Sequence, residues 1–201
     1  MNEVKRRPRD AQSTRAAVLV AAEVIFAKHG YAGTSMRDVA DTSGVSQPLI
    51  YHHFISKEGL YEAVLAKVMA RFTNIPVAPE DWRDPKQAIS HMLTRMIELV
   101  RKDTNLHRLI SWSRLENPHR IWPGEEQLTQ AVSESLKQAQ AQGYLRADIN
   151  AYWLNFVMRA LTLYWLDDGE HFLKMLGNKV DGEAGFLHSA IEVCHAGMRA
   201  S

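Results

Sequence analysis

A single cysteine, Cys194, in 201 residues excludes an intrachain disulfide framework, so the fold has to rest on its apolar core, and the scarcity fits a reducing cytoplasm. No apolar run approaches the roughly 20 residues a bilayer-spanning helix needs, which leaves no membrane partner in the reading. The basic N-terminus is not followed by an apolar stretch, so no secretory signal is visible. Catalytic signatures are missing as well: there is no Gly-x-Ser-x-Gly elbow, no phosphate-binding glycine loop and no His-Glu-x-x-His zinc pair. The carboxylate pairs Asp167-Asp168 and Glu125-Glu126 are adjacent, which sends their side chains in diverging directions; such pairs mark solvated helix ends more often than acid–base machinery. No enzyme and no cofactor is implied.

Charge of one sign is also lacking. Twenty-four Lys and Arg against 23 Asp and Glu leave a formal charge of +1, so the chain is not coated uniformly in positive charge. The distribution says more. Residues 1–75 carry ten basic against seven acidic side chains, a balance of +3, and the remaining fourteen against sixteen give −2. The excess lies where phosphate binding would use it. With 46% apolar and 23% charged residues the chain has an ordinary globular balance and is long enough to bury a sizeable core.

The informative stretch is Ser35–Lys57, SMRDVADTSGVSQPLIYHHFISK. Ser35 stands three residues before Asp38, the spacing at which an N-cap hydroxyl and an N3 carboxylate satisfy each other's backbone donors. A helix is predicted from Met36, ending at Gly44, where a left-handed turn costs glycine nothing. Ser46 is expected to cap a second helix with Leu49, Ile50 and Phe54 toward one side. Two helices across a short glycine turn make a helix-turn-helix, whose second helix can enter a DNA major groove.

Around it the periodicity predicts about nine helices and no strand, an all-α chain. Residues 1–11, with Lys5, Arg6, Arg7 and Arg9, read as a basic flexible arm that is either solvated or follows the DNA backbone. A helix is expected from Thr14 to His29 and another from Lys57 to about Phe72. Pro76, Pro79 and Pro85 mark a seam, dividing a DNA-binding domain at 12–75 from a second domain at 76–201. Beyond the seam, helices are predicted near 85–101, 106–116, 125–142, 150–166 and 183–198. The last two are apolar almost all round, more than one small domain readily covers.

The string FAKHGYAGTSMRDVADTSGVSQPLIYHHFISKEGLYEAVL, residues 26–65, resembles the DNA-binding domain of the TetR family of bacterial transcription regulators, a similarity extending over about 12–72. It is carried by the Gly-Tyr exit of the first helix, Thr-Ser-Met-Arg-Asp, Ala-x-x-x-Gly-Val-Ser, Ile-Tyr-x-x-Phe and Ser-Lys-Glu, in one order. The resemblance implies a homodimer binding double-stranded operator DNA, with a small-molecule effector site in the C-terminal domain. Carried over by position, Gln47, Pro48 and Leu49 would face the groove, Tyr51 and His52 would reach phosphate or a base edge, and Ser35, Arg37 and Lys57 would hold phosphates. The chemistry agrees, since Gln bonds adenine bidentately and apolar groups meet a thymine methyl. Gln47, Pro48 and Leu49 are more apolar than is usual for the family, so the operator sequence is not readable from them. The implied activity is a ligand-responsive repressor, with a ligand-dependent activator or a co-repressor-dependent regulator as the alternative.

For the effector site the candidate lining is Met96, His107, Trp112, Leu115, Phe156, Arg159, Leu163 and Trp165, with ordinary core packing as the competing role of each. Five tryptophans and eight methionines suit a bulky apolar or aromatic effector. For dimerisation the excess apolar surface points to Trp153, Val157, Leu161, Leu187, Ile191 and Cys194, with Cys194 also readable as a small buried hydrophobe. No metal site is expected: His52 and His53 diverge by about 100° on a helix, and His188 and His195 share a face without a fixed third ligand.

Overall fold

The computed structural model describes residues 11–74 and 78–200, and among these the chain is all-helical. Its α-helices are α1 (Ala11–His29), α2 (Met36–Ser43), α3 (Gln47–Phe54), α4 (Lys57–Met69) and α5 (Pro85–Lys102). They continue with α6 (Thr104–Glu116), α7 (Glu125–Ala141), α8 (Ala151–Leu176) and α9 (Gly182–Met198). The arm predicted over 1–11 lies outside the described residues except for Ala11, which opens α1.

Two compact units form. The first comprises residues up to Val68 together with Arg108–Pro123; the second comprises Met69–His107 and Gly124 onward. This division differs from a single cut at 75/76, and side chains of α6 and the loop after it supply the reason. Arg108 donates to the carbonyls of Ala27 (2.7 Å) and Lys28 (3.1 Å), orphan acceptors at the C-terminus of α1. Glu116 accepts the backbone N–H of Tyr31 and of Ala32 at 2.7 and 2.9 Å. Arg120 bonds Glu58 at 2.6 Å and lies 5.2 Å from the Tyr61 ring centre. Gly30 makes room for this clasp: its φ is +72°, and a Cβ there would stand 2.6 Å from a Glu116 oxygen.

Within the first unit α1 packs on α2 and α3. Val18, Ala22, Phe26, Val39, Ile50, Phe54, Leu60 and Val64 are buried, and Tyr61 meets Phe26 edge-on at 4.8 Å. Helices of eight residues, such as α2 and α3, are too short to persist alone, so this burial holds them in place.

The second unit is built on α5 against α8 and α9, with α7 closing against α8. Asp84 caps α5 through the Gln87 N–H, with Pro85 in the first turn. The core includes Trp82, Ile89, Leu93, Leu136, Met158 and Cys194. The Trp82 indole donates to the Ser135 hydroxyl at 3.0 Å, which satisfies a buried polar group.

Helix α8 runs ten residues past the expected Leu166. Asp167 and Asp168 are therefore interior helical residues and not an end: Asp167 pairs with His107 at 2.9 Å, and Asp168 accepts from the Tyr164 hydroxyl. Gly169, a weak helix former, has the Trp165 ring against it; a Cβ would meet that ring at 2.8 Å.

Candidate nucleic-acid interface

The predicted capping box at Ser35 is present. The Ser35 hydroxyl accepts from the Asp38 N–H at 3.2 Å while the Asp38 carboxylate accepts the Ser35 N–H at 3.0 Å and its hydroxyl at 2.6 Å. Those bonds hold the Asp38 carboxyl below the usual carboxylate range. They also commit both donors of Ser35, so in this structure that residue serves α2 and does not offer a hydrogen to phosphate. Gly44, at φ +66°, ends α2 and turns the chain into α3.

At Ser46 the expectation of a side-chain cap is corrected. Ser46 occupies the N-cap position, yet its hydroxyl makes no capping bond. Pro48 at the second helical position has no N–H, and the next N–H, on Leu49, goes to the Ser46 carbonyl at 3.0 Å. The hydroxyl is left with no donor to serve.

Ile50 and Phe54 face inward, while Pro48, Leu49, Tyr51 and His52 are exposed and Gln47 is half-buried. Gln47, Pro48 and Tyr51 border an open depression of about 830 Å³ whose other wall is the end of α2, with Asp41 and Gly44. Arg37 is exposed beside it, its guanidinium 3.8 Å from Asp41. Lys57 opens α4, with its ammonium 4.4 Å from the Tyr31 ring and 3.5 Å from the Ala32 carbonyl. These groups lie on the outer side of α2 and α3 and at the start of α4, and offer amide, ring, apolar and cationic contacts around that open depression. Such a mixture of groups is compatible with contacts to phosphate and base edges.

The effector candidates are less coherent. Trp112 and Leu115 belong to the first compact unit, with Leu115 exposed, whereas Met96, His107, Phe156, Arg159, Leu163 and Trp165 belong to the second. Several are already engaged: Arg159 with Glu125 at 3.0 Å, His107 with Asp167, and Trp165 stacked on Phe186 at 4.2 Å while its indole N–H donates to Glu183.

Of the dimer candidates, Trp153 and Val157 are exposed, Leu161, Leu187 and Ile191 are half-buried against the core, and Cys194 is buried within it. Cys194 is packed as a small hydrophobe in the core of the single chain, with burial raising its thiol pKa. Exposed Phe156 and Tyr164, together with Trp153 and Val157, extend one stripe along α8. Among the described residues no group of three metal-ligating side chains occurs, and no helix is long and apolar enough to cross a membrane.

Sequence reasoning did not find the Arg108, Glu116 and Arg120 clasp or the turn at Ile55. The clasp joins residues 62 to 85 positions apart and leaves no local pattern. Ile55 has no sequence signal, because its φ of +66° is one that a β-branched residue rarely adopts.

Two short helices joined across a glycine turn, the second with mixed polar and apolar groups outward, form a helix-turn-helix. The comparisons agree: residues 18–64 match the family described as bacterial regulatory proteins, tetR family, and residues 89–184 match the tetracyclin repressor-like C-terminal domain. The chain belongs to the TetR family of transcription regulators and is a ligand-responsive, DNA-binding regulator. It is 28% identical over 170 residues to the HTH-type transcriptional regulator UidR of Escherichia coli, covering 80% of this chain and 84% of that one. It is likewise 28% identical over 172 residues to the HTH-type transcriptional activator FasR of Mycolicibacterium smegmatis, covering 81% and 76%. The putative transcriptional regulator SCO4942 from Streptomyces coelicolor shares the fold, with a TM-score of 0.74 at 20% identity over 94% of this chain and all of that one.

Proposed function

We propose that this protein is a cytoplasmic repressor that binds a two-fold symmetric operator as a homodimer and is released by a small apolar or aromatic effector. The observation that carries the DNA-reading half is the outer face of α3, where Pro48, Leu49, Tyr51 and His52 are exposed beside half-buried Gln47, away from the core that Ile50 and Phe54 complete. Gln47 reads a base edge, Pro48 and Leu49 meet a thymine methyl, and Arg37, Tyr51 and Lys57 hold phosphates. The dimer assignment rests on the α8 stripe of Trp153, Phe156, Val157 and Tyr164, which one chain leaves in water. Release follows from linkage: an effector that binds the DNA-incompetent conformation more tightly lowers operator affinity by the same factor.

Selection of bound duplex from a random pool, followed by titration of the recovered site with salt, tests the assignment. Expected are two inverted half-sites about one helical turn apart and an affinity that falls steeply with salt. Replacing Lys57 with Ala should weaken all sequences alike and lower the salt slope by about one. Replacing Gln47 with Ala should relax the preference at a single base pair by about 1–3 kcal/mol; unchanged selectivity removes it from the reading set. An activator is the second reading, favoured by the similarity to the transcriptional activator FasR. Lower target-gene expression after deletion of the regulator would select it over the repressor.

A further inference from the structure

Between α3 and α4 the chain makes its tightest reversal. The Ser56 N–H donates to the Phe54 carbonyl at 2.7 Å, closing a three-residue turn around Ile55. Ile55 has φ +66° and ψ −46°, the positive-φ form of the γ-turn, which is rare and strained. It is the only described non-glycine residue with positive φ, and it is β-branched. Its side chain is 86% exposed, so burial gives nothing back for the backbone strain. Neither packing nor local preference accounts for isoleucine here. Strain without a folding benefit is the kind of outlier from which a functional role is inferred.

The surroundings hold this turn shut. The Ile55 N–H donates to the Tyr51 carbonyl at 2.8 Å and ends α3. The Ser56 hydroxyl accepts the Gly59 N–H at 3.0 Å and starts α4. Gly59 lies so close to the Phe54 carbonyl that a Cβ would stand 2.4 Å from that oxygen. Phe54 and Leu60, buried on either side, anchor the two helices. A residue with a Cβ has few other basins open to it, and each of them breaks these contacts, whereas glycine at the same position would move among several. The strained residue therefore makes the junction stiff.

We propose that Ile55 is a positioning residue for DNA binding: its γ-turn fixes Lys57 and the start of α4 against the reading face of α3, so that phosphate and base contacts form in one register. The proposal rests on the DNA-binding assignment and on Lys57 as a phosphate contact.

The test uses the full-length protein, a duplex that the wild-type protein recovers from a random pool, and the variants Ile55→Gly and Ile55→Ala. Glycine relieves the strain, so its melting midpoint should be no lower than that of wild type. Its affinity should nevertheless fall about tenfold or more, the scale of one misplaced charge-assisted contact, with the salt slope smaller by about one. Alanine keeps the Cβ and the restricted backbone while removing the exposed chain, so it should bind within about twofold of wild type. Glycine binding like wild type overturns the proposal. So does an alanine loss equal to the glycine loss, which would make the side chain itself the contact, and so does a lowered glycine midpoint, which would make the effect one of folding. Failure of wild type to recover any duplex removes the DNA-binding assignment and the proposal with it, a result distinguishable from the other three.

Discussion

Helices α3 and α8 both leave apolar groups in water, and they do so in different ways. Helix α3 has eight residues and mixes Pro48, Leu49, Tyr51 and His52 on its outer side, so hydrogen-bonding and apolar groups alternate over a short span. Helix α8 has 26 residues and sets Trp153, Phe156, Val157 and Tyr164 along one stripe, with Trp153 and Phe156 edge to face at 5.8 Å. The first pattern suits a partner whose surface alternates phosphate, base edge and methyl. The second suits a partner as apolar and as long as itself, which is what the proposed homodimer would supply.

The comparison breaks most visibly at Trp153. Replacement by Glu places a charge in the stripe, and two-fold symmetry counts it twice. At about 2 kcal/mol for each tryptophan anchor, the dimer dissociation constant should rise roughly a thousandfold. Sedimentation velocity at micromolar concentration should then show a monomer with an unchanged helical spectrum; a persistent dimer would locate the interface elsewhere.

A smaller effect is expected from stiffening the wrong place in the reading head. Replacing Gly30 with Ala combines a positive φ with a Cβ driven into the Glu116 carboxylate, which strips the Tyr31 and Ala32 N–H groups of their acceptor. The loss should be about 2–3 kcal/mol, read as a fall in the thermal midpoint. An equal fall in the Glu116→Ala background would show that the clasp is not the cause.

The smallest effect is electrostatic. The carboxyl groups of Asp38 and Glu58 are both depressed, Asp38 by the Ser35 hydroxyl and backbone and Glu58 by the Arg120 guanidinium. A depressed folded-state pKa contributes stability above the unfolded value and loses it as pH falls through the folded one. Stability should therefore decline with acid below about pH 4, the ordinary carboxylate range. Asp38→Asn should be less stable than wild type at neutral pH and converge with it in acid, which flattens part of that limb. An acid limb identical to wild type would remove the cap from the account.

How much of this could be read in advance follows from distance along the chain. Ser35 and Asp38 lie three residues apart, Gly44 follows α2 directly, and Asp84 precedes Pro85; each signal and its partner fit within one helical turn. Ser46 shows the limit even at that range, because its hydroxyl lost its role to a proline two residues on. The end of α8 failed for a different reason. The two adjacent aspartates read as a solvated helix end, but His107, distant in sequence, pairs with Asp167, and the Trp165 ring packs against Gly169 within the continuing helix. The effector candidates were chosen as apolar and aromatic residues from several helices, and nothing local distinguishes core from lining.

The sequence by itself determined an all-helical chain, the reading head and its outward residues, because caps, glycine turns and apolar periodicity act over a few residues. Tertiary structure alone decided that Arg108–Pro123 packs with that head, that Cys194 is core, and that Ile55 sits in a strained turn. Those outcomes depend on groups brought together from distant parts of the chain, or on a backbone conformation that surrounding packing imposes against local preference.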